Sequence, residues 1–126
     1  MTPTDRKYSK WHTWAKADGD SVAVGITDFA QRQLKDIVAL ELPKAGAALA
    51  QGKPAGAVES VKTVHDIVSP VSGTVAAVNA ALEAKPDALN KDPYNNWIFK
   101  VKAADPGELG GLMDAAAYDA LPKGGH

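Results

Sequence analysis

The amino-acid sequence predicts a mainly β fold, a sandwich or barrel with short helices at its edges. Short runs rich in β-branched and aromatic residues recur along the chain, as half-buried strands require. Turn signals made of glycine, proline, asparagine and aspartate separate these runs. Helical patterns are short, and no solenoid-like repeat is present. This order of elements indicates a compact sandwich or barrel.

The chain begins with a predicted β-hairpin. Its strands cover residues 11–16 and 21–26, and between them Asp18-Gly19-Asp20 carries the Asp-Gly signal of a tight turn.

A short helix and a strand follow the hairpin. Asp28 to Gln31 fits a capping box, which predicts a helix over residues 29–35 whose apolar side covers an end of the sheet. Residues 37–42 form a dense apolar run that Pro43 closes, so we expect a buried strand there.

The centre of the chain predicts a second hairpin with a lysine at its tip. Residues 55–59 lead into the tip, residues 63–68 lead away from it, and Lys62 lies between them. Glu59 precedes the lysine by three residues, and Gly73 follows it by eleven, after a proline-containing turn. Most exposed lysines are only solvated charges, but a rigid turn can also present a lysine amine for covalent attachment of a cofactor.

The next elements complete the predicted sheets. We expect a strand over residues 74–78, then a linking segment over residues 80–85 that Pro86 interrupts. Residues 92–96 are rich in turn formers, and residues 97–101 alternate as a closing strand. Three large aromatic side chains are expected in the core or in a cleft wall: Trp14, Phe29 and Trp97.

The last part of the chain predicts two short helices. Asp105 is the expected N-cap of the first, with Pro106 at the first helical position and Glu108 at the third. Asp114 caps the second, which Pro122 ends, and the remaining tail should be loose. The apolar side chains expected to point inward from the first helix are Leu109, Leu112 and Met113.

Length and charge limit the class of protein. With 126 residues the chain is expected to form a single domain over residues 1–126. Its 14 basic and 15 acidic residues give a net charge of -1 without a basic stripe, which argues against a nucleic-acid partner. No apolar run resembles an export signal or a membrane span, so a cytoplasmic location is expected.

The residues that could carry chemistry are few. Cysteine is absent, which excludes disulfides and thiolate sites, and the three histidines have no paired metal-ligand spacing. His65, Asp66 and Ser69 are the residue types of a hydrolase triad, but on one strand they would alternate between faces. We therefore expect no metal site, and any redox chemistry must come from an attached group.

Eight short segments, spread over most of the chain between Tyr8 and Leu121, match the pattern of one known family. They are Val24-Gly25-Ile26-Thr27-Asp28-Phe29-Ala30-Gln31, Asp36-Ile37-Val38, Glu41-Leu42-Pro43, Glu59-Ser60-Val61-Lys62, Ser69-Pro70-Val71-Ser72-Gly73, Val78-Asn79, Asp92-Pro93-Tyr94 and Leu112-Met113-Asp114. With these segments the chain resembles the glycine cleavage system H-protein family. The resemblance implies a lipoyl-type barrel-sandwich hybrid of two antiparallel sheets with helices at the edges and carboxyl end.

The resemblance also implies that the protein is a carrier and not an enzyme. Lipoate would be joined to Lys62 by an amide bond, with Glu59, Ser60, Val61 and Gly73 forming the attachment turn and its recognition features. A pyridoxal-phosphate glycine decarboxylase would load the aminomethyl group of glycine, and a folate-dependent aminomethyltransferase would remove it. A dihydrolipoyl dehydrogenase would reoxidise the arm, and a lipoate ligase or lipoyl transferase would attach it.

Two other carrier families fit the hairpin less well. Biotin carriers flank the lysine with methionines, whereas Val61 and Thr63 occupy those places. Lipoyl domains of 2-oxo acid dehydrogenases usually place aspartate before the lysine and alanine after it, whereas Val61 precedes Lys62 in this chain.

Some positions depart from the family pattern. The resemblance implies a cleft for the lipoyl end at Thr13, Phe29 and Asp66. Thr13, however, stands where the family commonly has a glutamate, and a hydroxyl cannot offer an ammonium a charge-assisted hydrogen bond. The Asn95-Asn96 loop is one residue shorter than usual, and His65 is expected to be ordinary surface. The alternatives are therefore a lipoyl carrier in another pathway, such as lipoyl relay or sulfur oxidation, and an unmodified interaction module.

Overall fold

The computed structural model describes residues 3–105 and 107–121 as two antiparallel sheets with short helices at their edges. The strands are β1 (Lys7–Tyr8), β2 (Thr13–Asp18), β3 (Ser21–Ile26), β4 (Ile37–Glu41), β5 (Ala48–Leu49), β6 (Pro54–Ser60), β7 (Val64–Val68), β8 (Gly73–Val78) and β9 (Phe99–Ala103). The helices are α1 (Asp28–Leu34), α2 (Ala81–Ala84), α3 (Ala88–Lys91), α4 (Gly107–Gly110) and α5 (Ala115–Asp119). One sheet has the order β1-β2-β3-β9-β8-β5 and the other the order β4-β6-β7. The predicted mainly β fold is confirmed.

The first hairpin forms as predicted. Asp18 pairs with Ser21 across the turn, and Gly19 has a φ of +61°, the left-handed conformation that glycine adopts without strain. The first strand of this hairpin, β2, begins at Thr13, two residues later than expected. The chain still turns just before it, because the His12 N–H donates to the Ser9 carbonyl and His12 itself has a φ of +66°.

The main core lies between the two sheets. Val24, Phe99 and Val101 of the six-stranded sheet and Val58 and Ile67 of the three-stranded sheet are each at most 1% exposed. A second cluster covers the opposite face of the six-stranded sheet, where α5 packs on β1 to β3. Its buried members are Tyr8, Trp14, Ala23, Ala115 and Tyr118.

Helix α1 forms, but its predicted cap is wrong by one residue. The N-cap is Thr27, whose hydroxyl accepts the N–H of Ala30 at 3.3 Å. Asp28 is already helical, and its carboxylate accepts the side-chain amide of Gln31 at 2.8 Å. The buried Thr27 hydroxyl also contacts the Tyr118 hydroxyl at 2.8 Å, so tertiary contact fixes the cap position.

The predicted linking segment, residues 80–85, contains helix α2, and a further short helix that was not predicted, α3, follows Pro86. Leu82 and Leu89 bury one apolar side chain from each, at 2% and 0% exposure, and Pro86 separates the two helices. Neither helix is long enough to produce a clear period in the sequence, so packing determines them. Within residues 3–105 and 107–121, no helix is long and apolar enough to cross a membrane.

Two strand predictions need adjustment. The closing strand begins at Phe99 rather than Trp97. Strand β4 was expected to be buried, but only Ile37 is, at 2% exposure, while Val38 is 49% exposed. The reason is that β4 is an edge strand of a sheet with one face toward solvent, and its register shifts between Ile37 and Ala39.

The side-chain caps predicted at the N-termini of the last two helices are present. The Asp105 carboxylate accepts the Gly107 N–H at 3.0 Å ahead of α4, and that of Asp114 accepts the Ala117 N–H at 2.8 Å in α5. Pro106, Pro122 and the expected loose tail lie outside the described residues. The side chains predicted to point inward are half-buried against the two apolar clusters: Leu109, Leu112 and Met113.

Candidate functional site

Lys62 lies exposed at the tip of the β6–β7 hairpin. The turn closes through a backbone hydrogen bond from the Ser60 N–H to the Thr63 carbonyl at 2.8 Å. The Ser60 hydroxyl accepts the N–H groups of Lys62 and Thr63 at 3.4 and 3.2 Å and donates to the Thr63 carbonyl at 3.2 Å. Because Ser60 is only 6% exposed, one buried hydroxyl fixes the backbone on both sides of the lysine.

A contact from outside the hairpin also holds the tip. The Val61 N–H donates to the Asp36 carbonyl at 3.1 Å, directly before β4. Glu59 pairs with Val64 on β7 and with Ala39 on β4, and its side chain is on the outer, solvent-facing side of the sheet. The turn is therefore anchored to the segment that precedes β4, and Lys62 lies next to this anchor.

A cleft of about 240 Å³ lies beside the tip, between the inner face of β7 and helix α1. His12, Phe29, Thr63 and His65 line it, together with the side of α1. The His12 and Phe29 rings are 4.6 Å apart between centroids. The cleft wall is therefore aromatic and carries two imidazoles.

A shallower depression of about 430 Å³ adjoins the cleft. His12 and His65 line both, and the depression adds Trp11, Val64 and the exposed Asp66. Of the predicted cleft residues, Phe29 therefore lines the cleft, and Asp66 lines the depression that shares the two histidines with it.

Thr13, the third predicted cleft residue, lines neither hollow. Its side chain is 1% exposed, donates to the Val68 carbonyl at 3.1 Å and shares a 2.6 Å hydrogen bond with the Ser9 hydroxyl. The hydroxyl is thus occupied by a tie from the six-stranded sheet to the three-stranded one. We find it in the protein interior rather than in the cleft.

Sequence reasoning missed the two histidines as cleft residues. Strand alternation contained a signal for His65, because it lies two residues before the buried Ile67 and so shares its inward face. For His12 no local signal existed, since its direction depends on the positive φ of the loop before β2.

The C-terminal helix holds His12 in place. The His12 Nδ1 atom lies 2.7 Å from the Tyr118 hydroxyl, which in turn contacts the cap hydroxyl of Thr27. Burial raises the pKa of Tyr118 to about 12, so its phenol, already neutral at pH 7, remains protonated well into the alkaline range. The hydrogen-bonded chain connects α5, the start of α1 and one wall of the cleft.

Gly73 is separated from the Lys62 turn by the whole of strand β7. It opens β8, where a Cβ atom would collide with the Lys102 carbonyl and lie 2.8 Å from a methyl of Val101. Its role in the structure is to allow the close pairing of β8 with β9 after the chain crosses between sheets.

The short Asn95-Asn96 loop is likewise distant from the cleft. Asn95 donates its side-chain amide to the Asp92 carboxylate, and Asn96 donates to the Asp92 and Ala88 carbonyls. Asn95 borders a different hollow, beside Trp14 on the outer face of the six-stranded sheet. Neither asparagine of this loop lines the cleft beside Lys62.

Comparison with known proteins gives a consistent result. A family model described as glycine cleavage H-protein matches residues 6–124. The chain is 52% identical over 124 residues to the glycine cleavage system H protein of Symbiobacterium thermophilum, covering 98% of this chain and 97% of that protein. It is 53% identical over 118 residues to the H protein of Marinobacter nauticus, covering 92% and 91%.

The same likeness holds in three dimensions. The crystal structure of a glycine cleavage system H protein from Mycobacterium marinum superposes with a TM-score of 0.84 at 37% identity, covering 92% of this chain and 94% of that one.

Proposed function

Since the chain belongs to the glycine cleavage H-protein family, we propose that it is the lipoyl carrier of a glycine cleavage system and that Lys62 carries the lipoyl group. The observation that supports Lys62 most directly is its exposed amine on a turn fixed by the buried Ser60 hydroxyl. Among the described residues, no ion pair engages the Lys62 ammonium.

The geometry of the tip fits an acylated lysine. Lys62 would hold the lipoyl group through an amide bond between its side-chain nitrogen and the lipoyl carboxyl carbon; forming that bond would release the group that activates the carboxyl and one proton from the nitrogen. An exposed amine on a rigid turn suits this reaction, because the attaching enzyme need not order the backbone that presents it.

The rest of the chain would act by binding and positioning. The bound lipoyl group would supply the disulfide and thiol chemistry that a chain without cysteine cannot. The cleft lined by His12, Phe29 and His65 would shelter the end of the arm, and Asp66 would offer a carboxylate to a cationic cargo. The protein is thus a carrier, and catalysis belongs to its partners.

The proposed partners follow from this assignment. They are the pyridoxal-phosphate glycine decarboxylase, the folate-dependent aminomethyltransferase, the dihydrolipoyl dehydrogenase and the enzyme that attaches lipoate. A long arm on an exposed tip lets one small protein present its cargo to several active sites in turn.

Attachment is tested by intact-mass measurement of protein made in lipoate-supplied cells. We expect one added lipoyl group on the wild-type chain and on the Lys53→Arg variant. Lys53→Arg is the matched control, because Lys53 is another exposed lysine and lies just before strand β6, at the opposite end from Lys62. Lys62→Arg should show none. A lipoyl group that persists on the Lys62→Arg chain would disprove the assignment of the site.

Transfer of the cargo is tested separately. Lipoylated protein is mixed with the glycine decarboxylase and glycine, and aminomethyl on the protein is followed by mass. Absence of loading would reject the role in glycine cleavage while leaving lipoyl attachment intact.

A further inference from the structure

Three large apolar side chains are strongly exposed in the described part of the chain, and all three surround the lysine tip. They are Val38 at 49%, Val61 at 65% and Val64 at 62% exposure. Exposed valines scattered over a surface are ordinary, and strands favour β-branched residues in any case. Their concentration at one end of one sheet is not explained by strand preference alone.

The three valines lie on two strands of the three-stranded sheet and on the turn at its end. Val61 lies in the turn beside Lys62, Val64 opens β7, and Val38 lies on β4. The pairing places them together, because Ala39 and Val64 flank Glu59 from either side and the Val61 N–H bonds to the Asp36 carbonyl. We call Val38, Val61 and Val64 the tip collar.

Val38 lies at an irregularity in β4. Ile37 pairs with Ser60 and is buried, whereas the next register pair joins Ala39 to Glu59. Val38 is the extra residue between these two pairs, and its side chain remains half exposed.

The collar has an acidic rim. Glu59 lies on the outer face between β4 and β7, and Asp36 is exposed where the tip is anchored. A surface that covers the collar should therefore be apolar at its centre and carry a cationic side chain facing Glu59.

We infer that the tip collar is the docking surface for the enzyme that attaches lipoate to Lys62, an acyltransferase presenting an activated lipoyl group. This inference rests on the proposed function. The attaching enzyme must hold the Lys62 amine itself, so it cannot avoid the side chains that surround the tip. Later partners act on the far end of a long arm and can reach it without covering the collar.

The test measures the kinetics of lipoyl attachment with purified ligase, lipoate and ATP. Val38→Thr combined with Val64→Thr keeps the β-branched shape of both residues and replaces one exposed methyl group of each by a hydroxyl. Thr74→Val is the matched control, because it makes the reverse exchange at an exposed position of β8. Thermal unfolding of each chain checks that the fold is retained.

We expect kcat/KM of the double variant to fall by about tenfold through a raised KM, with kcat and the unfolding midpoint unchanged. The control should match the wild-type chain. An unchanged kcat/KM, a loss confined to kcat, or an equal loss in Thr74→Val would overturn the docking surface. So would normal attachment accompanied by failure to react with the decarboxylase, which would assign the collar to a later partner.

The same experiment separates this inference from the function on which it rests. A wild-type chain that accepts no lipoyl group overturns both. A wild-type chain that is lipoylated, alongside a double variant with wild-type kinetics, overturns only the docking surface.

Discussion

At the scale of single residues, Ser60 determines how firmly the lysine is presented. Its buried hydroxyl serves the N–H groups of Lys62 and Thr63. We expect Ser60→Ala to lower the free energy of unfolding by about 1 kcal/mol and to slow lipoyl attachment to Lys62, because the turn loses these bonds. Urea unfolding and the rate of mass gain measure the two effects.

The neighbouring Thr63 provides the control for Ser60. Its hydroxyl makes only a 3.5 Å contact, to the Val64 carbonyl, so Thr63→Ala removes a side chain of the tip without removing a support of the turn. Equal losses in Thr63→Ala and Ser60→Ala would contradict the role assigned to the Ser60 hydroxyl.

Thr13 shows why a motif alone can misplace a residue. The family resemblance put position 13 in the cleft, yet here its hydroxyl bonds to the Val68 carbonyl and the Ser9 hydroxyl inside the protein. A short side chain at this buried position stabilises the contact between the sheets. His12, one residue earlier, lines the cleft because the backbone turns there.

At the scale of elements, helix α4 is clamped to the turn between β7 and β8. The Glu108 carboxylate accepts the Ser72 N–H at 2.7 Å and the Ser72 hydroxyl at 3.0 Å. We expect Glu108→Gln to lower the free energy of unfolding by about 1 kcal/mol, since the amide offers one acceptor where the carboxylate offers two. Lipoyl attachment should be unaffected, because this turn is at the end of β7 away from Lys62.

The surface residue Glu83 on α2 gives the matched change for this clamp. Its carboxylate is exposed, so Glu83→Gln should leave the denaturation midpoint within experimental scatter. If both glutamine variants unfold alike, the clamp does not stabilise α4.

Elements with local signals were predictable from the sequence, and those without were not. The hairpin strands could be placed because an Asp-Gly turn or a lysine tip separates runs of β-branched residues. Helices α2 and α3 could not, since each has four residues and buries one leucine. The cap of α1 shifted to Thr27 because Tyr118, 91 positions away, holds its hydroxyl.

At the scale of the whole molecule, one part of the candidate site was predictable from local sequence and the other was not. The lysine tip is built by one hairpin, so a short stretch of sequence describes it. The cleft combines the loop at His12, helix α1 at Phe29 and strand β7 at His65, and only the packed fold brings them together. Residue spacing gives a signal for the direction of His65, through strand alternation, but none for how the three elements approach one another.

The three tyrosines make the second core cluster sensitive to alkali. Tyr8, Tyr94 and Tyr118 lie together in or against this cluster, and burial raises the pKa of each above its ordinary value. The folded state therefore binds more protons than the unfolded state once pH exceeds about 10. Stability contributed by the neutral phenols is complete below that pH and is lost as pH rises from there toward 12 and beyond.

We expect the free energy of unfolding to fall steeply over this range, by about 2 kcal/mol for Tyr118 alone if its pKa moves to about 12. Tyr118→Phe should be less stable at neutral pH, because the hydrogen bonds to His12 and Thr27 are lost, but its stability should decline less steeply above pH 10. Urea unfolding at a series of pH values measures both slopes. Lysine ionisation contributes equally to the two chains and cancels in their difference, so identical slopes would contradict the burial of the Tyr118 phenol.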